Sequence, residues 1–324
     1  LLNPLPLHHI SGLMPWWRSR VWGAQHLPLE PDWIKQPALM STRIDALADP
    51  ARNPRLLSVV PTQLTRLMED PAGLECLKSC AVIWVGGAGL NSCSRAAARR
   101  EQLNLAPCYG ATETTAMVTA LPPQHFLEGM EGCGDVLGDA EINLDVDGSL
   151  MVRTNRLAAG RWNGAEDSAP QALRDGQGWW RSGDLARWLP GQGGKGMARS
   201  LQLIGRRDAV INSGGETLFL ETLEEKMREL FASLPIKSFL LIGLVDSNWG
   251  EKLVGLVRFS REISEVECGN LFSKMSNICL ELSPPGRPKQ WLHCPSLAMN
   301  MAGKWERKRW IAWAMAEFTG QINS

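Results

Sequence analysis

The sequence predicts an α/β fold in two parts, a large N-terminal and a small C-terminal α/β domain, and three observations carry that reading. Short apolar, β-favouring runs end at proline or glycine and pass into helix-like patterns, first at 56–68 and again at 81–102. The chain has 324 residues, enough for a substantial core and more than one domain. Two further strand-like runs, Phe239 to Val245 and Leu253 to Val257, lie beyond a glycine-rich stretch and a charged turn at Gly205-Arg206-Arg207-Asp208. The boundary is placed there, with residues 1–207 in the first domain and 208–324 in the second.

Leu56 to Val60 reads as a buried strand, Pro61 as a break, and Thr62 as a candidate helix cap. Ala81 to Val85 is the next strand. It ends in Gly86-Gly87-Ala88 and leads to an Ala- and Arg-rich helix at 94–102, the strand, glycine turn, helix order of a nucleotide-facing sheet edge. After Pro107, Cys108 to Ala111 reads as a small-residue turn opening onto Thr112 and Glu113. Residues 134–153 alternate as strands around an Asp147-Gly148 hairpin turn. Pro190 to Ser200 has four glycines and little to bury, so a mobile surface loop is expected. Leu201 to Ile204 is a strand, and Glu221 to Leu230 an amphipathic helix.

The 34 basic and 34 acidic residues cancel, which leaves no electrostatic footprint for nonspecific binding to nucleic acid or an acidic membrane. Small-molecule chemistry fits better. The eight cysteines form no CxxC pair and have no histidines at zinc-finger spacing, so reduced, mostly buried thiols are expected. Cys76 and Cys80 share a helical face beside Leu77, which favours packing over a shared metal. No stretch is long and apolar enough to span a bilayer, and the start lacks a charged and apolar leader. A cytoplasmic protein is expected.

Four segments recur in one order: Tyr109-Gly110-Ala111-Thr112-Glu113, Ser182-Gly183-Asp184-Leu185, Gly205-Arg206-Arg207-Asp208 and Gly303-Lys304. Together they resemble the adenylate-forming acyl-CoA synthetases, the AMP-binding enzymes, over essentially the whole chain. The resemblance implies ATP-dependent activation of a carboxylic acid and transfer of the acyl group to CoA, with magnesium on the ATP phosphates. It also implies a mobile C-terminal domain.

On that resemblance, Lys304, Thr112 and Glu113 are the catalytic residues: Thr112 contacts phosphate, Glu113 binds magnesium, and Lys304 bridges the carboxylate and the α-phosphate. Taken alone, Thr112 is equally a helix cap, Glu113 a first-turn acid, and Lys304 part of a solvated basic helix face with Arg307, Lys308 and Arg309. Gly86, Gly87 and Ala88 would lie along the adenine, or form an ordinary strand-ending turn. Tyr109, Gly110 and Ala111 belong to the same nucleotide site. Asp184 would accept both ribose hydroxyls, or stand as a solvated turn acid. Arg206 would lie near ribose and phosphate, with Arg207 as surface charge. Asp208 would be the hinge, or a simple linker acid. Ser213, Gly214 and Gly215 would line the CoA channel. Glu224 fits the family pattern, whereas Leu220 and Thr222 stand where Pro and Glu are usual.

The segment Leu5 to Leu13 resembles the acyl-pocket motif, most closely that of the o-succinylbenzoate-CoA ligases of menaquinone and phylloquinone synthesis. His9 is the motif histidine. A metal held by His8 and His9 is disfavoured because neighbouring side chains on a strand point apart. Arg18 would face the second carboxylate of o-succinylbenzoate, or sit on the surface beside Trp17. The family's phosphate-binding loop, expected upstream of His9, has no match, and an N-terminally incomplete sequence is the simplest account. Other readings are an aryl or medium-chain acyl-CoA ligase, a stand-alone adenylation domain, or an inactive nucleotide-binding scaffold.

Overall fold

The computed structural model describes residues 1–47, 54–162, 169–190, 199–246, 248–300 and 305–322. The chain divides into two compact units, Leu1–Leu203 and Ile204–Ser324.

The first unit opens with β1 (Leu2–Asn3), α1 (Ile10–Trp22), β2 (Leu27–Pro28) and α2 (Pro37–Leu47). The α/β alternation follows: β3 (Arg55–Val59), α3 (Pro61–Met68), α4 (Pro71–Lys78), β4 (Cys80–Val85), α5 (Ser92–Arg100) and β5 (Leu105–Ala111). The antiparallel strand β6 (Ala116–Ala120), the short helix α6 (Pro123–Leu127) and β7 (Asp135–Val136) complete a seven-stranded sheet in the order β2-β1-β3-β4-β5-β6-β7. Leu57, Val59, Ile83, Val85 and Leu105 supply its buried strand face, and Leu64, Leu67, Leu77 and Ala98 pack on it from the helices.

Local chemistry sets the helix starts. Asp70 caps α4 by accepting from the amides of Ala72 and Gly73 at 2.9 and 3.0 Å, and Asn91 caps α5 through the Ser94 amide at 2.7 Å. Thr62 is not a cap. Pro61 is already the first helical residue of α3, its fixed φ and missing N–H suiting that place, and Gln63 Oε1 accepts the Val60 amide at 3.2 Å. Cys80 begins β4 rather than extending α4, so the two cysteines share a core, not a helical face.

A second sheet, ordered β13-β12-β9-β8, comprises β8 (Ala140–Leu144), β9 (Ser149–Thr154), β12 (Trp180–Pro190) and β13 (Arg199–Arg206). Between β9 and β12 lies a ribbon of β10 (Gly160–Arg161) and β11 (Gln171–Ala172). The Asp147-Gly148 hairpin is present, with Gly148 at φ +78° and its amide donating to Asp145 O at 2.9 Å. The glycine stretch at 191–198 lies outside the described residues.

The second unit carries β14 (Val210–Ser213), β15 (Glu216–Phe219), α7 (Leu220–Leu230), β16 (Ile236–Asp246), β17 (Gly250–Phe259), α8 (Glu265–Ile278), β18 (Gln290–His293) and α9 (Arg307–Ile322). Side-chain alternation on β16 explains its nearly unbroken apolar run. Phe239 and Leu241 join Met227, Met275 and Trp291 on one face, while Leu240 and Ile242 join Trp310 and Ala314 on the other. None of the described helices is long and apolar enough to cross a membrane, and none of the eight cysteines forms a disulfide.

Candidate functional site

Strands β4 and β5 run parallel with Ile83 opposite Leu105 and Val85 opposite Pro107, so their C-terminal ends deliver two glycine-containing segments to one sheet edge. Ligands in open α/β sheets bind at such ends. Gly86 is held to glycine by packing: a Cβ there would stand 2.9 Å from Cys108 Sγ. Its neighbour Gly87 takes φ +84°, a conformation other residues rarely adopt. Cys108 to Ala111 is strand, not turn. It is fixed by the antiparallel ladder to β6, where a Cβ on Gly110 would meet Ala116 O at 2.2 Å.

The turn itself is Thr112 to Thr115, joining β5 to β6. No helix begins here, so Thr112 caps none and Glu113 answers no helix dipole. The fully buried Thr114 organises the turn. Its hydroxyl accepts the Ala111 amide at 2.9 Å and lies 2.7 Å from Ala116 O. Thr115 and Ala116 take φ +53° and +116°, each costing roughly 1–3 kcal/mol that the surroundings must offset.

Glu113 is ion-paired with Arg161 of β10, and its backbone carbonyl accepts the Ala158 amide at 2.8 Å. A carboxylate beside a threonine hydroxyl is a hard-oxygen donor set. Magnesium is commonly held by one or two carboxylates, with water and phosphate filling its other positions. Thr112 and Glu113 fit that pattern. Among the described residues no group of three or more His, Cys, Asp or Glu side chains is placed to hold a metal ion.

Asp184 reaches the same region through a bulge in β12. The register against β9 shifts between Arg181 and Leu185, Gly183 takes φ +80°, and Ser182 Oγ accepts the Asp184 amide at 3.0 Å while donating to Leu150 O at 3.1 Å. Bulges re-aim side chains. This one brings Asp184 Oδ2 to 2.6 Å from the Tyr109 hydroxyl, uniting two of the four segments across 75 residues of sequence.

Arg18, on α1, lies 5.6 Å from the centroid of the Trp84 ring, and Trp22 stacks at 6.2 Å from the same ring. Burial lowers the Arg18 pKa from its ordinary value, an effect opposed by Cys108 and reinforced by Arg156. The guanidinium stays cationic, because an arginine is not deprotonated in a protein. Arg18 is thus a half-buried cation against β4, not a surface residue beside Trp17. His9 sits at the start of α1 without capping it. His8 and His9 lie in a turn rather than a strand, and their rings approach to 4.3 Å instead of pointing apart.

In the second unit Arg206 ends β13, and Asp208 lies in the 3-10 turn Arg207–Ala209. Gly214 and Gly215 form the two-residue turn between β14 and β15, at φ +58° and +82°, the pairing that a tight hairpin requires. Ser213 beside them is fully buried, and its hydroxyl has no hydrogen-bond partner among the described residues. Leu220 is buried in the core, and Thr222 Oγ1 donates to Ile204 O at 3.1 Å, which accounts locally for both departures from the usual pattern. Lys304 lies outside the described residues.

Three arginines with evident structural work escape a reading of motifs. Arg307, assigned to a solvated basic run, is instead buried against Glu224, with Nη1–Oε1 and Nη2–Oε2 at 2.8 and 3.0 Å. Arg156 and Arg161 grip the Thr112–Thr115 turn from more than forty residues away. No local pattern marks such partners.

Comparison with known proteins agrees with this geometry. The family model described as AMP-binding enzyme matches residues 1–160. Across 309 residues the chain is 25% identical to the 2-succinylbenzoate–CoA ligase of Listeria monocytogenes, covering 95% of this chain and 60% of that relative. The fold is that of the o-succinylbenzoate CoA synthetase of Bacillus subtilis in complex with the acyl-adenylate intermediate OSB-AMP, with TM-score 0.73, 23% identity, and coverage of 95% of this chain and 60% of that one. The same enzyme in complex with ATP and magnesium gives TM-score 0.72 at 22% identity, with the same coverage. The chain therefore spans about 60% of the length of the curated relative.

Proposed function

We propose that this AMP-binding chain serves an ATP-dependent acid-thiol ligase that adenylates o-succinylbenzoate and passes the acyl group to CoA. The observation that carries the reading is the 2.6 Å hydrogen bond between Tyr109 and Asp184, which joins two nucleotide-site segments beside Gly86 and Gly87 at the sheet edge. Similarity to a 2-succinylbenzoate–CoA ligase over 95% of the chain supports the choice of acid.

The chemistry runs in two steps. A carboxylate oxygen attacks the α-phosphorus of ATP, and the bond to pyrophosphate breaks, giving an acyl-AMP mixed anhydride. The CoA thiol then attacks the acyl carbon, AMP leaves, and the thiol proton passes to solvent. Asp184 would accept the ribose hydroxyls, its second oxygen lobe fixed by Tyr109. Thr112 would meet phosphate, and Glu113 would hold magnesium, whose charge offsets that of the departing pyrophosphate. Arg206 would lie near the ribose and phosphate, Asp208 would be the hinge, and Ser213, Gly214 and Gly215 would line the thiol channel. ATP and CoA are both abundant in the cytoplasm, which is where such a ligase would act.

Pyrophosphate release measured across a panel of acids tests the proposal. Release with o-succinylbenzoate, well above that with benzoate or medium-chain fatty acids, is expected. Nucleotide binding without acid-dependent release would instead support an inactive scaffold.

The second carboxylate of o-succinylbenzoate is not activated and needs a fixed cation, which Arg18 supplies beside Trp84 and His9 accompanies at the start of the same helix. Arg18→Ala should raise the KM for the acid about tenfold or more, since a hydrogen bond to a charged group contributes about 1.5–3 kcal/mol. The KM for ATP should stay nearly constant. Equal rises in both would count against the assignment.

A further inference from the structure

The turn bearing Thr112 and Glu113 is strained at Thr115 and Ala116, and strain of this kind persists only where neighbouring structure over-determines it. Most of the neighbours come from one short segment. The Thr115 hydroxyl donates to Arg156 O at 2.7 Å, and the Ala158 amide donates to Glu113 O at 2.8 Å. Arg156 then reaches back with its side chain: Nη1 donates to Thr114 O at 3.0 Å and Nη2 to Met117 O at 3.2 Å. Its remaining edge pairs with Asp139, through Nε to Oδ2 and through Nη2 to Oδ1 at 3.1 Å.

One planar fork thus ties the carbonyls on either side of the strained residues to a carboxylate on the neighbouring loop. Lysine has the charge but not the fork. Both carbonyls that it binds flank the positive-φ pair, so the guanidinium braces the turn that carries Glu113.

We propose that Arg156 is a positioning residue for magnesium-ATP binding, fixing the Thr112–Ala116 turn so that the Glu113 carboxylate meets the metal on the triphosphate. The inference rests on the proposed nucleotide site and assigns a role to a residue outside its motifs. Arg156 touches neither nucleotide nor metal. Its effect is confined to ligands that engage Glu113 and is absent for ligands held through Gly86, Gly87 and Asp184 alone.

The test is calorimetric titration of the full chain with two ligands, magnesium-ATP and metal-free AMP, for the wild type, Arg156→Ala and Arg156→Lys. The expected result is a Kd for magnesium-ATP about tenfold higher in Arg156→Ala, an intermediate rise in Arg156→Lys, and AMP binding within about twofold of wild type in both. A merely structural role would weaken both ligands together, and that outcome overturns the inference, as does an unchanged Kd for magnesium-ATP. Should Arg156→Ala fail to fold, Arg156→Lys decides by the same split. Failure of the wild type itself to bind either nucleotide would overturn the nucleotide-site reading and this inference with it, and is distinguishable because no variant is then involved.

Discussion

Lys304→Ala is expected, on the proposed ligase reading, to lower acyl-adenylate formation by about 10²–10³-fold while leaving conversion of supplied acyl-AMP to thioester nearly intact. The magnitude is that of removing one preorganised charge from a site where negative charge converges. In the first half-reaction of the proposed chemistry a carboxylate approaches a polyphosphate, and a compact ammonium between them would offset the repulsion at the moment of attack. In the second half-reaction the nucleophile is a thiol and the electrophile an acyl carbon, so the same charge has nothing to do there. Measuring the two half-reactions separately, by pyrophosphate exchange and by thioester formation from synthetic acyl-AMP, checks the split. Equal loss of both would sink the assignment of Lys304 to adenylation.

Much of this molecule was legible because its signals are local. The apolar runs at Ala81–Val85 and Phe239–Val245 report strands directly, since a buried strand needs little beyond β-favouring apolar residues. The Asp147-Gly148 turn reports itself through a glycine free to take positive φ, as Gly148 does at +78°. What was misread depended on partners far away in sequence. Cys108 to Ala111 looks like a turn because its residues are small, but the smallness serves the close approach of β6 at Gly110. Arg307 looks solvated in a run of basic residues until Glu224, 83 positions earlier, is folded against it. The bulge that aims Asp184 at Tyr109 likewise exists only once β9 fixes the register on both sides of it.

Glu224→Ala should destabilise the second unit by about 3–5 kcal/mol, the cost of breaking a buried ion pair and leaving one charge uncompensated. Only 5% of the Glu224 side chain and 10% of the Arg307 side chain are exposed. The pair also completes the edge of β16. At Leu241 the backbone amide donates to Glu224 Oε1 at 2.8 Å and the carbonyl accepts from Arg307 Nη1 at 2.5 Å, so the two side chains stand where another strand would. Removing the carboxylate therefore strands a guanidinium and an amide at once, and loosens α7 and α9 from the strand between them. Urea denaturation gives the size of the loss, and exchange of the Leu241 amide locates it. The double variant Glu224→Ala, Arg307→Met should recover more than half of the lost stability, because an apolar pair carries no desolvation penalty. A loss below about 1 kcal/mol in the single variant, typical of exposed pairs, would mean that water reaches the guanidinium and that the pair is not the clamp its geometry describes.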